Sequence, residues 1–290
     1  MLEALGTPSA DYQMLLAMMT ELAHTGTLVI DDIEDRAQVR RGAEAIHLRY
    51  GIEVAINAAN TVYFLPLLVL SNYPHLSDGQ RLELFRIISG YSVRSHLGQG
   101  QDIYWSKFLS PESLRDWTAD SMAQKLLQSY AHKTASLVEG TAEAACVIAK
   151  AHGDTRRACA AFGRVFGVAF QVLDDVLDFS QERLRQGTGG RDLAEGKPTY
   201  VVVRALERLN GTGRHRLRSI LCQPELRNDA RAHQEGVDLV RRSGALDACR
   251  SEAQTMVQDG WRRLSEHLPP SDAKSMLRVL CLALLGNGQE

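Results

Sequence analysis

Apolar positions three and four residues apart run through most of this chain. In QVLDDVLDF, Val172 and Val176 are four apart, as are Leu173 and Leu177, so each pair shares one helical face. MLLAMMTELAHTG, AQKLLQSYAHKTASLVEGTAEAACVIAKA and RRACAAFGRVFGVAFQVLDDVLDF are rich in Ala, Leu and Met and almost free of Pro. That composition suits long, closely packed helices. Alternating runs of strand type are scarce. Breaks fall at SNYPHLSDG (71–79), FLSPES (108–113), AHGDT (151–155), RQGTGGRDLAEGKPT (185–199) and HLPPSD (267–272). None is long enough for an interdomain linker, and no internal repeat is visible. The pattern predicts one all-α domain over residues 1–290, a helical bundle with short loops.

The sharpest departure from the apolar pattern is LVIDDIEDRAQVRRG (28–42), where Asp31, Asp32, Glu34 and Asp35 crowd together directly after an apolar run. Half a chain later, Asp174, Asp175 and Asp178 repeat the form Asp-Asp-x-x-Asp. On a helix, positions i and i+4 share a face, so Asp31 is expected to aim with Asp35, and Asp174 with Asp178. Both clusters sit among apolar residues, which predicts largely buried helices whose carboxylates face a cavity. Carboxylates so placed need counter-charge. One such cluster is explained as well by a solvated helix end; two with the same spacing inside apolar helices point to metal. All-oxygen ligation favours a hard cation, and Mg²⁺ usually binds through one or two carboxylates plus phosphate oxygens. Two facing acidic helices would hold Mg²⁺ between them, with a diphosphate below.

Basic residues extend the picture. Arg40 and Arg41 are expected one to two helical turns beyond the first cluster, Lys133 and Thr134 mid-helix in YAHKTASL, and Lys197 at the end of the glycine-rich stretch in EGKPT. Singly, each reads as an ordinary surface cation; jointly with the acids they suit a diphosphate, through charge-assisted hydrogen bonds. Gln99 and Asp102 in LGQGQDIYW lie three apart on another helix. Asp102 either orients Lys133 or a metal-bound water, or forms with Gln99 a capping or core-polar pair.

Composition narrows the class. With 290 residues, 44% hydrophobic and 23% charged, the chain is an ordinary globular one able to bury a sizeable core. A net charge of −2 gives no general attraction to nucleic acid or anionic membrane. The longest apolar stretch, VYFLPLLVL (62–70), reads as too short to span a bilayer. No secretory leader opens the chain, and the five scattered cysteines form no CxxC pair, which suits a reducing cytoplasm. The nine histidines include no HExxH, and no GxSxG is present, which excludes the common zinc and hydrolase signatures.

From about Glu21 to Thr199 the chain resembles the trans-prenyltransferases, the (E)-polyprenyl diphosphate synthases. The likeness rests on ELAHTGTLVIDDIED, RRG, IHLRYG, GQGQDIYW, KTASL, FQVLDD and GRDLAEGKPT, in that order. DDIEDRAQVRRG, INAANTVYF and GQGQDIYW look most like geranylgeranyl diphosphate synthases. The resemblance implies an isoprenoid-synthase type of all-α fold, a homodimer or higher oligomer, and Mg²⁺-dependent elongation of an allylic diphosphate with isopentenyl diphosphate. By matching motifs, Asp31, Asp35 and Asp174 look like the metal ligands, with Asp32, Asp175 and Asp178 supporting, as Gln99 and Asp102 do. Arg40, Lys133, Thr134, Gln171 and Lys197 look like the allylic diphosphate contacts, and His24 and Arg41 like those of isopentenyl diphosphate. Lys133 joins Asp31, Asp35 and Asp174 as a residue expected to carry the reaction.

Two departures from the family pattern stand out. Where the family carries a lysine five residues before the aspartate of its GxDLxEGK stretch, this chain has Gly187, with Arg185 or Arg191 as the expected substitute. The family's glycine-lysine-arginine-proline segment has no match in residues 1–20, which predicts weak isopentenyl diphosphate binding. Gly26 and Thr27, one turn before Asp31, are expected to point down the product channel. The family's C15 synthases often carry an aromatic ring at the position of Gly26, so a product longer than C15, with C20 preferred, is expected. The alternatives are a longer-chain synthase, a class I terpene cyclase, or a weakly active partner subunit. The last third of the chain carries no usable motif.

Overall fold

The computed structural model describes residues 1–110, 119–185, 187 and 189–286. The expected break at FLSPES lies outside the described residues from position 111 onward, as do two positions, 186 and 188, of the glycine-rich stretch. After a short 3₁₀ turn (Glu3–Leu5), α1 (Gln13–Glu34) leads into a hairpin of β1 (Val39–Arg40) and β2 (Ala43–Glu44). There follow α2 (Ile46–Tyr50), α3 (Ile52–Ser71), α4 (Asp78–Phe108), α5 (Ala119–Lys133), α6 (Ala135–Ile148) and α7 (Gly153–Asp178). Two short helices, α8 (Gln181–Arg185) and α9 (Arg191–Glu195), occupy the glycine-rich connection. The chain closes with α10 (Tyr200–Arg208), α11 (Gly211–Cys222), α12 (Pro224–Asn228), α13 (Ala230–Arg242), α14 (Ala245–Ser265) and α15 (Asp272–Gly286).

Helix α7 forms the axis, packed along α6 on one side and α14 on the other. Glycines allow the α6 contact: a Cβ on Gly167 would lie 2.5 Å from the Ala135 Cα. Around α7 the main core gathers Phe162, Val172, Leu173, Val176 and Phe179 with Val201, Leu217, Val237 and Leu264 of the later helices. A second core joins α1, α3, α4 and α6 through Leu15, Met19, Leu70, Leu84, Ile88 and Tyr91. Each such side chain contributes about 1.5–3 kcal/mol by leaving water. The start of α4 is set by a reciprocal cap, in which the Gln80 amide donates to Ser77 Oγ and the Ser77 amide to Gln80 Oε1.

Three local expectations change. Arg40 and Arg41 do not continue a helix. Helix α1 ends at Glu34, and Arg41 and Gly42, both with positive φ (51° and 79°), form the turn of an antiparallel hairpin in which Arg40 pairs with Ala43. That pattern matches a two-residue type I′ connection. Lys133 and Thr134 are not mid-helix but at the break between α5 and α6. There α4 comes so close that a Cβ on Gly98 would lie 2.3 Å from the Lys133 backbone nitrogen. The Lys133 carbonyl instead accepts from Ser95 Oγ at 3.0 Å. Finally, the apolar run at 62–70 is part of the 20-residue α3, which is long and apolar enough to cross a membrane by length and composition. Small and uncharged residues before Val62 extend it. One α3 face, with Ala55, Ala59, Pro66 and Leu70, is buried, while Phe64 and Leu68 are exposed.

Candidate active site

Both acidic clusters occupy the last turn of a helix, α1 for Asp31 to Asp35 and α7 for Asp174 to Asp178, and neither last turn contains a basic residue. Negative charge at a helix C-terminus opposes the helix dipole, so each end demands cations from elsewhere in the fold. Those cations arrive from α4's neighbours, the hairpin and the loop after α9.

At the first end, Gln99 Nε2 donates to Asp31 Oδ1 at 3.0 Å and to Glu34 Oε2 at 2.6 Å. Lys133 Nζ lies 2.7 Å from Asp102 and 3.4 Å from Asp31, so Asp102 orients Lys133 toward the cluster. Arg40 donates through Nε (2.8 Å) and Nη2 to buried Asp32, with Asp31 3.7 Å away. Lys197 Nζ meets Asp35 at 2.6 Å and Glu195 at 2.7 Å. Burial alone would raise Asp31, but Lys133, Lys197, Gln99 and Arg40 together hold its carboxyl below the usual range. Asp35 goes the other way: burial, with Asp31 and Glu195 alongside, pushes it up to about 6 in spite of Lys197. Burial works against the charge on Lys133, but Asp102 and Asp31 more than offset it and its pKa rises.

The second end splits its three acids. Asp174 is half exposed and pairs with Arg183 at 3.1 Å. Asp175 is buried, accepting from Tyr130 OH at 2.5 Å, Gln171 Nε2 at 3.2 Å and the Tyr200 amide at 3.3 Å. Burial still pushes Asp175 up to about 8. Asp178 does not aim with Asp174. Its carboxylate accepts the backbone amides of Arg191 and Asp192, both at 3.2 Å, and so seats the first turn of α9. The expectation that these carboxylates face one cavity therefore fails for Asp175 and Asp178, because backbone amides and Tyr130 satisfy them inside the protein. Their effect on the site is indirect: Asp178 seats α9, after which Lys197 follows.

Thr134 Oγ1 donates to Gln171 Oε1 at 2.6 Å, tying the α5–α6 break to α7. His24 is exposed on α1 within electrostatic reach of Arg40 and Arg41, and Arg41 stands exposed at the hairpin turn. At the departure from the family pattern, Gly187 has φ +69°, a left-handed conformation that disfavours lysine. The cation beside Asp174 is neither Arg185 nor Arg191, which forms an ion pair with Glu195 at 3.7 Å, but Arg183 on α8. The sequence reading also missed Tyr130, Glu195 and Asp192, whose carboxyl is held up by burial with Asp178 and Asp175 nearby. The one signal for Glu195 was its place two residues before Lys197. Gly26 differs from expectation too. It packs against α3, where a Cβ would lie 3.1 Å from the Tyr63 ring and 3.2 Å from the Ala59 carbonyl. Tyr63 itself lies within electrostatic reach of Glu34 and Asp31, its ring edge-on to His96 at 5.3 Å.

Among the described residues, no three His, Cys, Asp or Glu side chains converge into a ready ligand cluster. The acids are instead neutralised by Lys133, Arg40, Lys197 and Arg183. Such a donor set, all oxygen and already charge-balanced by lysine and arginine, fits a hard divalent ion that brings phosphate oxygens with it.

Two acid-bearing helix ends, ringed by lysine and arginine at the mouth of an all-α bundle, define a class that handles a diphosphate. The family description Polyprenyl synthetase matches residues 1–236, and the chain belongs to that family of prenyltransferases. It is similar to the short chain isoprenyl diphosphate synthase of Methanothermobacter thermautotrophicus, with 30% identity over 281 residues, covering 96% of this chain and 80% of the relative. Solanesyl diphosphate synthase 1, chloroplastic, of Arabidopsis thaliana is 30% identical over 268 residues, covering 92% of this chain but 60% of that relative. Among solved structures, geranylgeranyl pyrophosphate synthetase from Pyrococcus horikoshii superposes with a TM-score of 0.82 at 25% identity, covering 98% of this chain and 82% of that one.

Proposed function

We propose that this chain elongates an allylic diphosphate with isopentenyl diphosphate, as one polyprenyl synthase domain, using Mg²⁺. The observation that carries this reading is the convergence of Lys133, Lys197 and Arg40 on Asp31, Asp32 and Asp35 at the end of α1. Asp31, Asp35 and Asp174 would hold the metal, which when bound supplies positive charge to the leaving diphosphate. Arg40, Lys133, Thr134, Gln171 and Lys197 hold the allylic diphosphate, and His24 and Arg41 hold isopentenyl diphosphate. The allylic C–O bond breaks with its electron pair going to diphosphate. The double bond of isopentenyl diphosphate then attacks the cation, forming the new C–C bond, and a proton leaves to the released diphosphate. Apolar helix walls exclude water, which would quench the cation.

A C20 product is the finer part of the reading. Tyr63 lies within electrostatic reach of Asp31 with its ring against the exposed His96, and Gly26 adds no ring of its own. A homodimer is the second finer part, supported by apolar side chains left exposed on α3 and α4, among them Phe64 at 67%, Leu97 at 62% and Phe108 at 64%. The five cysteines, all unpaired and buried, suit the reducing cytoplasm. Incubation with Mg²⁺, labelled isopentenyl diphosphate and C5, C10 or C15 primers tests the whole. A linear C20 product is expected; a longer linear product revises the chain length, a cyclic hydrocarbon replaces elongation by cyclisation, and no turnover leaves a partner subunit. Light scattering of the purified protein should give the mass of two chains.

A further inference from the structure

Away from the acid-bearing ends, α4, α6 and α7 line an open recess of about 220 Å³ bordered by Glu83, Arg86, Gly90, Arg94, Glu143 and Arg156. Three guanidinium groups thus face two carboxylates. Arg156 takes both carboxylates, pairing with Glu83 and, at 3.3 Å, with Glu143. Glu139, one turn earlier on α6, is turned to Arg164 at 3.7 Å. Among the described residues, neither Arg86 nor Arg94 is in an ion pair, and Arg94 Nε is buried with no partner at all.

Gly90 explains how the two arginines meet. It lies four residues from each on α4, and a Cβ there would be 3.6 Å from Arg94 Nη1, so the Arg94 guanidinium folds back over the glycine toward Arg86. The missing side chain leaves the floor open. Three guanidinium groups against two carboxylates leave one positive charge in the recess, and the buried Arg94 Nε lacks a hydrogen-bond partner, which together favour a further anion there. Guanidinium forks match the oxygen geometry of phosphate bidentately. We propose that this cavity is a second oxyanion site, for phosphate or diphosphate, separate from the acid-lined mouth. Arg86 lies about 20 Å along α4 from Gln99, at 1.5 Å per residue.

Titration calorimetry of inorganic diphosphate into the full chain, in metal-free buffer, tests this. Wild-type protein should show two classes of site. In Arg86→Gln/Arg94→Gln, one class should weaken at least about tenfold, the loss expected for a charged hydrogen bond, while turnover is retained. Gly90→Glu, which puts a carboxylate into the recess, should abolish the same class and raise the melting temperature in phosphate-free buffer; it also serves if the double variant fails to fold. An isotherm unchanged in either variant overturns the proposal. So does a double variant that leaves diphosphate binding intact but weakens self-association, since a second chain's carboxylate then fills the recess.

Discussion

Lys197 Nζ and Asp35 Oδ2 lie 2.6 Å apart although 162 residues separate them in sequence. The pair joins the end of α1 to the loop after α9. Asp35 nevertheless titrates near 6, because burial outweighs its lysine.

That value sets a pH dependence. The folded pKa of Asp35 is raised, so in the metal-free protein its contribution to stability is full below about pH 4 and is lost as pH rises through about 6. Metal binding has the opposite sign, because it needs the carboxylate. Apparent Mg²⁺ affinity should therefore fall by up to about tenfold per pH unit below 6. Metal titrations from pH 5 to 8 check this; a flat profile would show that Asp35 is no ligand.

Asp31→Ala and Asp174→Ala should each lower turnover by at least about a hundredfold, the scale on which a single preorganised electrostatic contact acts. Circular dichroism should keep the helical signal, since neither side chain is in the core. Near-normal turnover in both variants would remove the metal assignment.

Asp102→Asn should act through its partner. Lys133, deprived of the carboxylate at 2.7 Å, would move onto Asp31, now 3.4 Å away. The allylic KM and the Mg²⁺ requirement should both rise, each by about tenfold for one charged contact. Steady-state kinetics at varied Mg²⁺ separate the two. A change in kcat alone would place Asp102 in the chemical step.

Tyr130→Phe should destabilise the metal-free fold by about 1–3 kcal/mol, the cost of a buried acceptor left unmatched. Asp175, near 8 in the folded state against an ordinary carboxylate value, gives stability below about pH 4 that is lost as pH rises through 8. Without the tyrosine its pKa rises further, so the deficit should stay constant between pH 4 and 8 and widen as pH rises above about 8. Urea melts in chelator at several pH values measure the slope, and a pH-independent deficit would mean that only packing was lost.

The channel floor gives opposite outcomes for two neighbours. Gly26→Phe should disturb the α1–α3 contact and cost about 1–3 kcal/mol or more, as overpacking does. Tyr63→Ala should open the floor and lengthen the product. Chromatography of the products, read beside melting temperatures, tells the two effects apart.

What could be read in advance depended on how local the cause was. The clusters at Asp31 and Asp174 and the helix carrying Gln99 and Asp102 follow from short spacings that survive any tertiary arrangement. The hairpin escaped because Arg41 adopts a positive φ that nothing in VRRGAE but Gly42 advertises. The break at Lys133 depends on Gly98, distant in sequence, pressing on its backbone. Asp178 shares the i, i+4 spacing of Asp35 yet seats α9, a partner visible only once the chain has folded. The C-terminal third was silent because its part is support: Arg227 of α12 crowds Gly196, and His233 of α13 lies 2.9 Å from the Gly190 carbonyl, both beneath the loop that carries Lys197.

The contact of Gly98 with Lys133 leaves no room for a methyl group, so α4 can neither slide nor roll against α5. One helix therefore carries Gln99 and Asp102 beside the acids and, one turn earlier, His96 against the Tyr63 ring, with its register fixed at Gly98. A single-residue insertion or deletion between Gly98 and Asp102 would turn Asp102 by about 100° around the helix and separate Lys133 from its carboxylate.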